Sequence, residues 1–147
     1  QCAPRIAGFF YVPQTGILPR MERTSEKISF SNGRGDTLAG IIDRPTVPPR
    51  AWAVMGPCFT CVKESHALSK IARALAERGV GVLRIDTTGF GGSTGDALLT
   101  NLTTRIGDLT AAAQYLAAHY GAPSIMIGHS MSGTAALSAV HNIDTIN

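Results

Sequence analysis

Three short apolar runs constrain the fold more than any other feature: Ala51 to Gly56 (AWAVMG), Val80 to Asp86 (VGVLRID) and Ser124 to Gly128 (SIMIG). Runs of this length without polar alternation suit strands buried on both faces. A stretch of helical period follows each one. After the first, Leu68, Ile71, Ala72, Leu75 and Ala76 make one apolar face of a helix over about His66 to Arg78. Gly79 stands where a left-handed cap would close it. After the second, Arg105 to His119 turns Ile106, Leu109, Ala113 and Leu116 inward and sets Asp108 near its positive end; Gly121 and Pro123 stop it. After the third, MSGTAALSAV reads as a last helix. Strand and helix alternating in this way imply a parallel sheet with right-handed crossovers and helices on both faces.

A hairpin precedes these units. In EKISFSNGRGDTLAGIID, Ile28 and Phe30 alternate with polar residues, Asn32-Gly33 suits a tight turn, and Leu38 to Ile42 returns. The following RPTVPPR cannot continue a sheet ladder. The expected fold class is therefore α/β, a mostly parallel sheet with flanking helices.

A chain of 147 residues fits one domain, and 44% apolar against 16% charged residues is a globular composition. The net charge of +3 is spread without a Lys/Arg stripe, which gives no sign of nucleic-acid binding. No run reaches the ~18 apolar residues of a membrane span. Residues 1–20 read as a poorly ordered N-terminal extension, and Met21 as a plausible start of the domain at 21–147. The extension lacks the pattern of a secretory signal, and the cysteine count is three. Both argue against a disulfide framework and for a reducing, cytoplasmic location.

In parallel sheets the chemistry collects at the carboxyl ends of the strands, where the loops GPCFTC, DTTGFGGSTGD and GHSMSG fall. GHSMSG has the form of a nucleophile elbow around Ser130, with a strand before it and a helix after it. Such a turn needs small residues two before and two after the serine. Gly128 fills the first place and Ser132 the second, where glycine is usual. His129 precedes the serine, and the N–H of Met131 would point at a developing oxyanion. The competing reading is a polar turn that merely contains a serine.

GPCFTC would supply the second oxyanion donor, from Cys58 or Phe59 but not from Pro57, which has no N–H. Cys58 and Cys61 also read as a redox pair; zinc is disfavoured because no second pair of ligands follows. The loop after the second run fails the G-x-G-x-x-G dinucleotide pattern, since Gly89 and Gly91 are followed by Thr94. None of His66, His119, His129 and His141 is a convincing base, and His141 with Asp144 reads as a surface pair at a helix end.

With these motifs in order, the chain resembles the α/β-hydrolase superfamily, and more closely the hydrolase half of bacterial proteins that fuse an α/β-hydrolase to an OsmC-like domain. The resemblance rests on PCFTCVKE, LRIDTTGFGGSTGD, TNLTTRIGDL and IGHSMSG, and runs from about Ser25 to the C-terminus. It implies the N-terminal part of an α/β-hydrolase fold, with Ser130 as nucleophile and Met131, Cys58 and Phe59 around the oxyanion hole. It implies that Asp86, Gly89, Gly91 and Ser93 shape the neighbouring loop. It implies a triad acid and histidine beyond this chain, a small acyl substrate, no cofactor, no metal, no nucleic acid or membrane, and a C-terminal OsmC-like partner domain. The alternatives left open are a non-catalytic scaffold and a redox protein.

Overall fold

The computed structural model describes residues 19–146. Five strands form one mixed sheet: β1 (Arg23–Ser31), β2 (Thr37–Pro45), β3 (Ala51–Gly56), β4 (Val80–Ile85) and β5 (Ile125–Gly128), in the spatial order β1-β2-β4-β3-β5. β2 pairs antiparallel with β1 and β4, while β3 pairs parallel with β4 and β5. Three helices follow the parallel strands: α1 (His66–Ala76), α2 (Leu102–His119) and α3 (Met131–Ala139). The α/β class and the flanking helices expected from the sequence are present, with the hairpin supplying the antiparallel part.

The apolar runs are continuous because each face of the sheet has its own core. Ala53, Met55, Val80 and Val82 pack against Leu68 and Ala72 of α1. Trp52, Val54, Leu83 and Ile85 pack against Leu109 and Leu116 of α2 and Ala135 and Ala139 of α3. Successive strand residues alternate between the two cores, as the period of two requires.

Several boundaries move. β2 runs on to Pro45, which pairs with Arg23 at the end of the ladder where proline's missing N–H is tolerated. Ile71 is 48% exposed rather than core. Gly79 has φ +87° and its N–H donates to the Ala76 carbonyl, so it ends α1 as expected. α2 starts three residues early, because the Asn101 side chain accepts the Thr104 N–H while the Thr104 hydroxyl accepts the Asn101 N–H. The expectation for residues 1–20 lies almost wholly outside the described residues. Among the described residues no helix is long and apolar enough to cross a membrane.

Candidate active site

The turn from β5 to α3 holds Ser130 at φ +56° and ψ −123°. Among the described residues it is the only non-glycine with positive φ. A side chain in this region of backbone space is strained and persists only where its surroundings impose it. Here they do. The N–H of Gly133 donates to the Ser130 carbonyl at 2.7 Å, that of Ser132 to the His129 carbonyl, and that of His129 to Gly56 on β3. A Cβ on Gly128 would lie 2.1 Å from the Ser132 carbonyl oxygen, so the strand-to-helix turn closes only around a glycine. Ser130 is left exposed at the head of α3.

The loop after β3 faces this turn. Its cysteines correct the expectation that the chain holds no disulfide framework: Cys58 and Cys61 are joined in a disulfide with a Cα–Cα distance of 5.0 Å. The C-x-x-C turn, in which the Cys61 N–H donates to the Cys58 carbonyl, brings the pair together whatever the total count of cysteines. α1 begins only at His66, so the pair lacks the helix N-terminus that lowers a thiol pKa.

Arg105, in the first turn of α2, is buried beneath this loop. Its Nη1 donates to the carbonyls of Pro57 (3.2 Å) and Cys58 (3.3 Å) and to the Ser132 hydroxyl (3.0 Å). Its Nη2 donates to the Phe59 carbonyl at 3.1 Å. Burial lowers the arginine's pKa, against the opposing charge of Asp108. The loop has no cis peptide, so the N–H of each following residue points opposite to the carbonyl before it. The N–H groups of Cys58, Phe59 and Thr60 therefore face away from the guanidinium, and none has an acceptor among the described residues. The N–H of Met131 has none either.

Asp86 is fully buried at the end of β4 and links two loops. Its carboxylate accepts the Lys63 N–H (2.6 Å), the Lys63 ammonium (2.5 Å) and the Gly92 N–H (2.8 Å). A Cβ on Gly91 would strike this carboxylate. Ser93 donates to the Asp86 carbonyl and accepts from Ala39, and the Gly89 N–H donates to Thr94, which folds the loop onto β2. The rings of Phe90 and Phe59 meet edge to face at 5.6 Å. The loops after β3 and β4 therefore meet as one rim, through Lys63–Asp86 and Phe59–Phe90, and Arg105 joins that rim to Ser132 in the first turn of α3. Arg105 and Lys63, which the sequence reading did not single out for the site, tie that rim together.

Asp108 does not act as a helix-end charge. It is buried and accepts from Arg34 at 2.7 Å, from the Thr88 N–H at 2.8 Å and from the Thr88 hydroxyl at 2.9 Å. His129 lines an apolar groove of about 190 Å³ with Leu68, Ile71 and Ile127. His119 bonds the Tyr115 carbonyl. His141 and Asp144 are both exposed and form no ion pair, which corrects the expected surface pair. No histidine among the described residues bonds Ser130.

A strained serine between strand and helix, beside a loop of outward amides, is the layout of an α/β-hydrolase nucleophile turn. The family comparison decides the relationship: residues 61–146, more than half the chain, match the serine aminopeptidase S33 family of hydrolases. The chain belongs to that family. Among solved structures, this S33-family chain is similar to an esterase domain from Rhodothermus marinus, at 37% identity and TM-score 0.69 over 84% of this chain and 48% of that one. It shares the fold of Est1E from Butyrivibrio proteoclasticus, solved with ferulic acid, at 24% identity and TM-score 0.74 over 81% and 49% of the two chains. It also shares the fold of the α/β-hydrolase GrgF from Penicillium, at 22% identity and TM-score 0.73 over 86% and 44%. The chain spans about half the length of these proteins. No curated protein matches it.

Proposed function

We propose that this chain carries the nucleophile half of a serine hydrolase acting on a carboxylic ester, thioester or amide. The backbone of Ser130 carries the reading: a positive φ at a non-glycine residue, imposed by β5 and α3, lifts a serine hydroxyl into the open. The 37% identity to an esterase domain supports it. Ser130 Oγ attacks the substrate carbonyl and gives its proton to a base. The Met131 N–H and an N–H of the Cys58–Phe59 loop hold the oxyanion. The alcohol, thiol or amine departs with a proton, and water then releases the acyl group. The scheme draws on no metal or organic cofactor. It places the base and its orienting acid outside residues 19–146, after the serine in chain order.

The test is intact-mass analysis after treatment with a fluorophosphonate, on the full-length protein that includes the base and its acid and on its Ser130→Ala variant. We expect a single adduct that the substitution abolishes. A folded protein that takes up no adduct would sink the hydrolase reading and favour a non-catalytic scaffold.

A further inference from the structure

We propose that Arg105 is a positioning residue for this site, with the Ser132 hydroxyl as its anchor, so that one guanidinium sets the spacing between the two halves of the oxyanion hole. The inference rests on the reading of Ser130 as nucleophile. The two halves lie on different elements, the first turn of α3 and the loop after β3. Arg105 belongs to neither, yet it bonds both. Three consecutive carbonyls, of Pro57, Cys58 and Phe59, converge on its Nη1 and Nη2. Fixing those carbonyls fixes the directions of the Cys58, Phe59 and Thr60 N–H groups, because each peptide is planar. The Phe59 ring also lies 5.7 Å from the guanidinium carbon.

The fourth bond joins this assembly to the elbow. Ser132 is fully buried, one residue from Met131, and its hydroxyl accepts from Arg105. Room for the hydroxyl comes from Gly56, where a Cβ would lie 2.9 Å from Ser132 Oγ. A glycine at position 132 would give Arg105 nothing to hold. The serine thus turns a place where the motif asks only for smallness into a fastening point. Lysine cannot replace arginine here, since a point ammonium does not present a planar fork to four acceptors at once.

Arg105 faces the carbonyl side of the loop, away from the amides that would meet substrate. Its loss should therefore act on the transition state more than on binding. The experiment compares full-length wild type, Arg105→Lys, Ser132→Ala and the double variant in p-nitrophenyl acetate hydrolysis. A 4-fluorophenylalanine label at Phe59 reports loop order by fluorine NMR in the same four proteins. We expect Arg105→Lys to lower kcat by about tenfold to a hundredfold, less than or equal to the loss of an oxyanion donor, with KM within about twofold. Ser132→Ala should cost about threefold to tenfold, and the double variant no more than Arg105→Lys, since the two act as one unit. The Phe59 resonance should broaden or shift in every variant.

Unchanged kcat with an unchanged resonance, additive losses, or a rise in KM alone would each overturn the proposal. If Arg105→Lys does not fold, Ser132→Ala, which removes one oxygen, decides by the same criteria. If wild type neither hydrolyses the ester nor takes up fluorophosphonate, the nucleophile reading fails. The fluorine signal still decides whether Arg105 and Ser132 order the loop, and an unchanged signal there overturns the proposal as well.

Discussion

Lys63 and Asp86 show what a single buried pair contributes to this rim. The ammonium meets the Asp86 carboxylate at 2.5 Å and that of Glu64 at 3.0 Å, and Lys63 is only 6% exposed. Burial alone would lower the lysine's pKa, but the hydrogen bonds to Asp86 and Glu64 outweigh it and the net direction is upward. A folded-state pKa above the unfolded value of about 10.4 means stability that is fully present below that pH and lost as pH rises through the folded pKa. The gap in melting temperature between wild type and Lys63→Met should therefore be constant from pH 7 to 9 and narrow above pH ~10.5. At neutral pH, Lys63→Met should cost about 3 kcal/mol, because it leaves a buried carboxylate short of its counter-charge. A gap that stays constant to pH 12 would show that the pair does not carry this stability. Neither Lys63 nor Arg105 was legible as a site residue, since each lies in a stretch whose neighbours explain themselves. A signal did exist for Arg105. Arg105, Asp108, Leu109, Ala112 and Leu116 share one face of α2, and two charges on an apolar stripe need buried partners.

β5 and α3 form one tightly packed unit, and its tolerance is set by Gly128. A methyl group there would meet the Ser132 carbonyl carbon and oxygen at 2.4 and 2.1 Å, and the Gly133 nitrogen at 2.5 Å. All three are backbone atoms, so no side-chain rotation relieves the clash. Gly128→Ala should cost about 3 kcal/mol in urea unfolding and abolish fluorophosphonate uptake, since Ser130 would move with the helix. By contrast, the Cys58–Cys61 bridge closes only a short loop, and its reduction should cost about 2 kcal/mol or less. Elements of this kind were the legible part of the fold. The three apolar runs became β3, β4 and β5 within a residue, because strands buried on both faces need unbroken apolar sequence. The exposure of Ile71 was not legible. Helical period places it beside Leu68, but only the sheet's width decides whether anything covers it.

At the scale of the whole molecule, the sheet has two unlike edges. β1 is guarded by polar residues at Thr24, Ser25, Glu26, Lys27 and Ser29. β5 is apolar, and among the described residues it pairs on one side only, with β3. Beside it runs the groove of about 190 Å³ lined by Leu68, Ile71, Ile127 and His129. An unguarded apolar edge next to an apolar groove is a template for pairing with another strand. The 147-residue chain should therefore associate in a concentration-dependent way, measurable by light scattering across a dilution series. A lysine in place of Ile127, half-buried on β5 and facing the α1 side, puts a charge into both the edge and the groove. Ile127→Lys should shift the midpoint of association upward by tenfold or more, which corresponds to ~1.4 kcal/mol. The same substitution at Lys27, already charged and on the opposite edge, is not available as a control. Ser29→Lys on β1 is, and it should leave association unchanged. Equal effects from the two edges would show that net charge, rather than the open side of β5, governs how the chain meets its own copies.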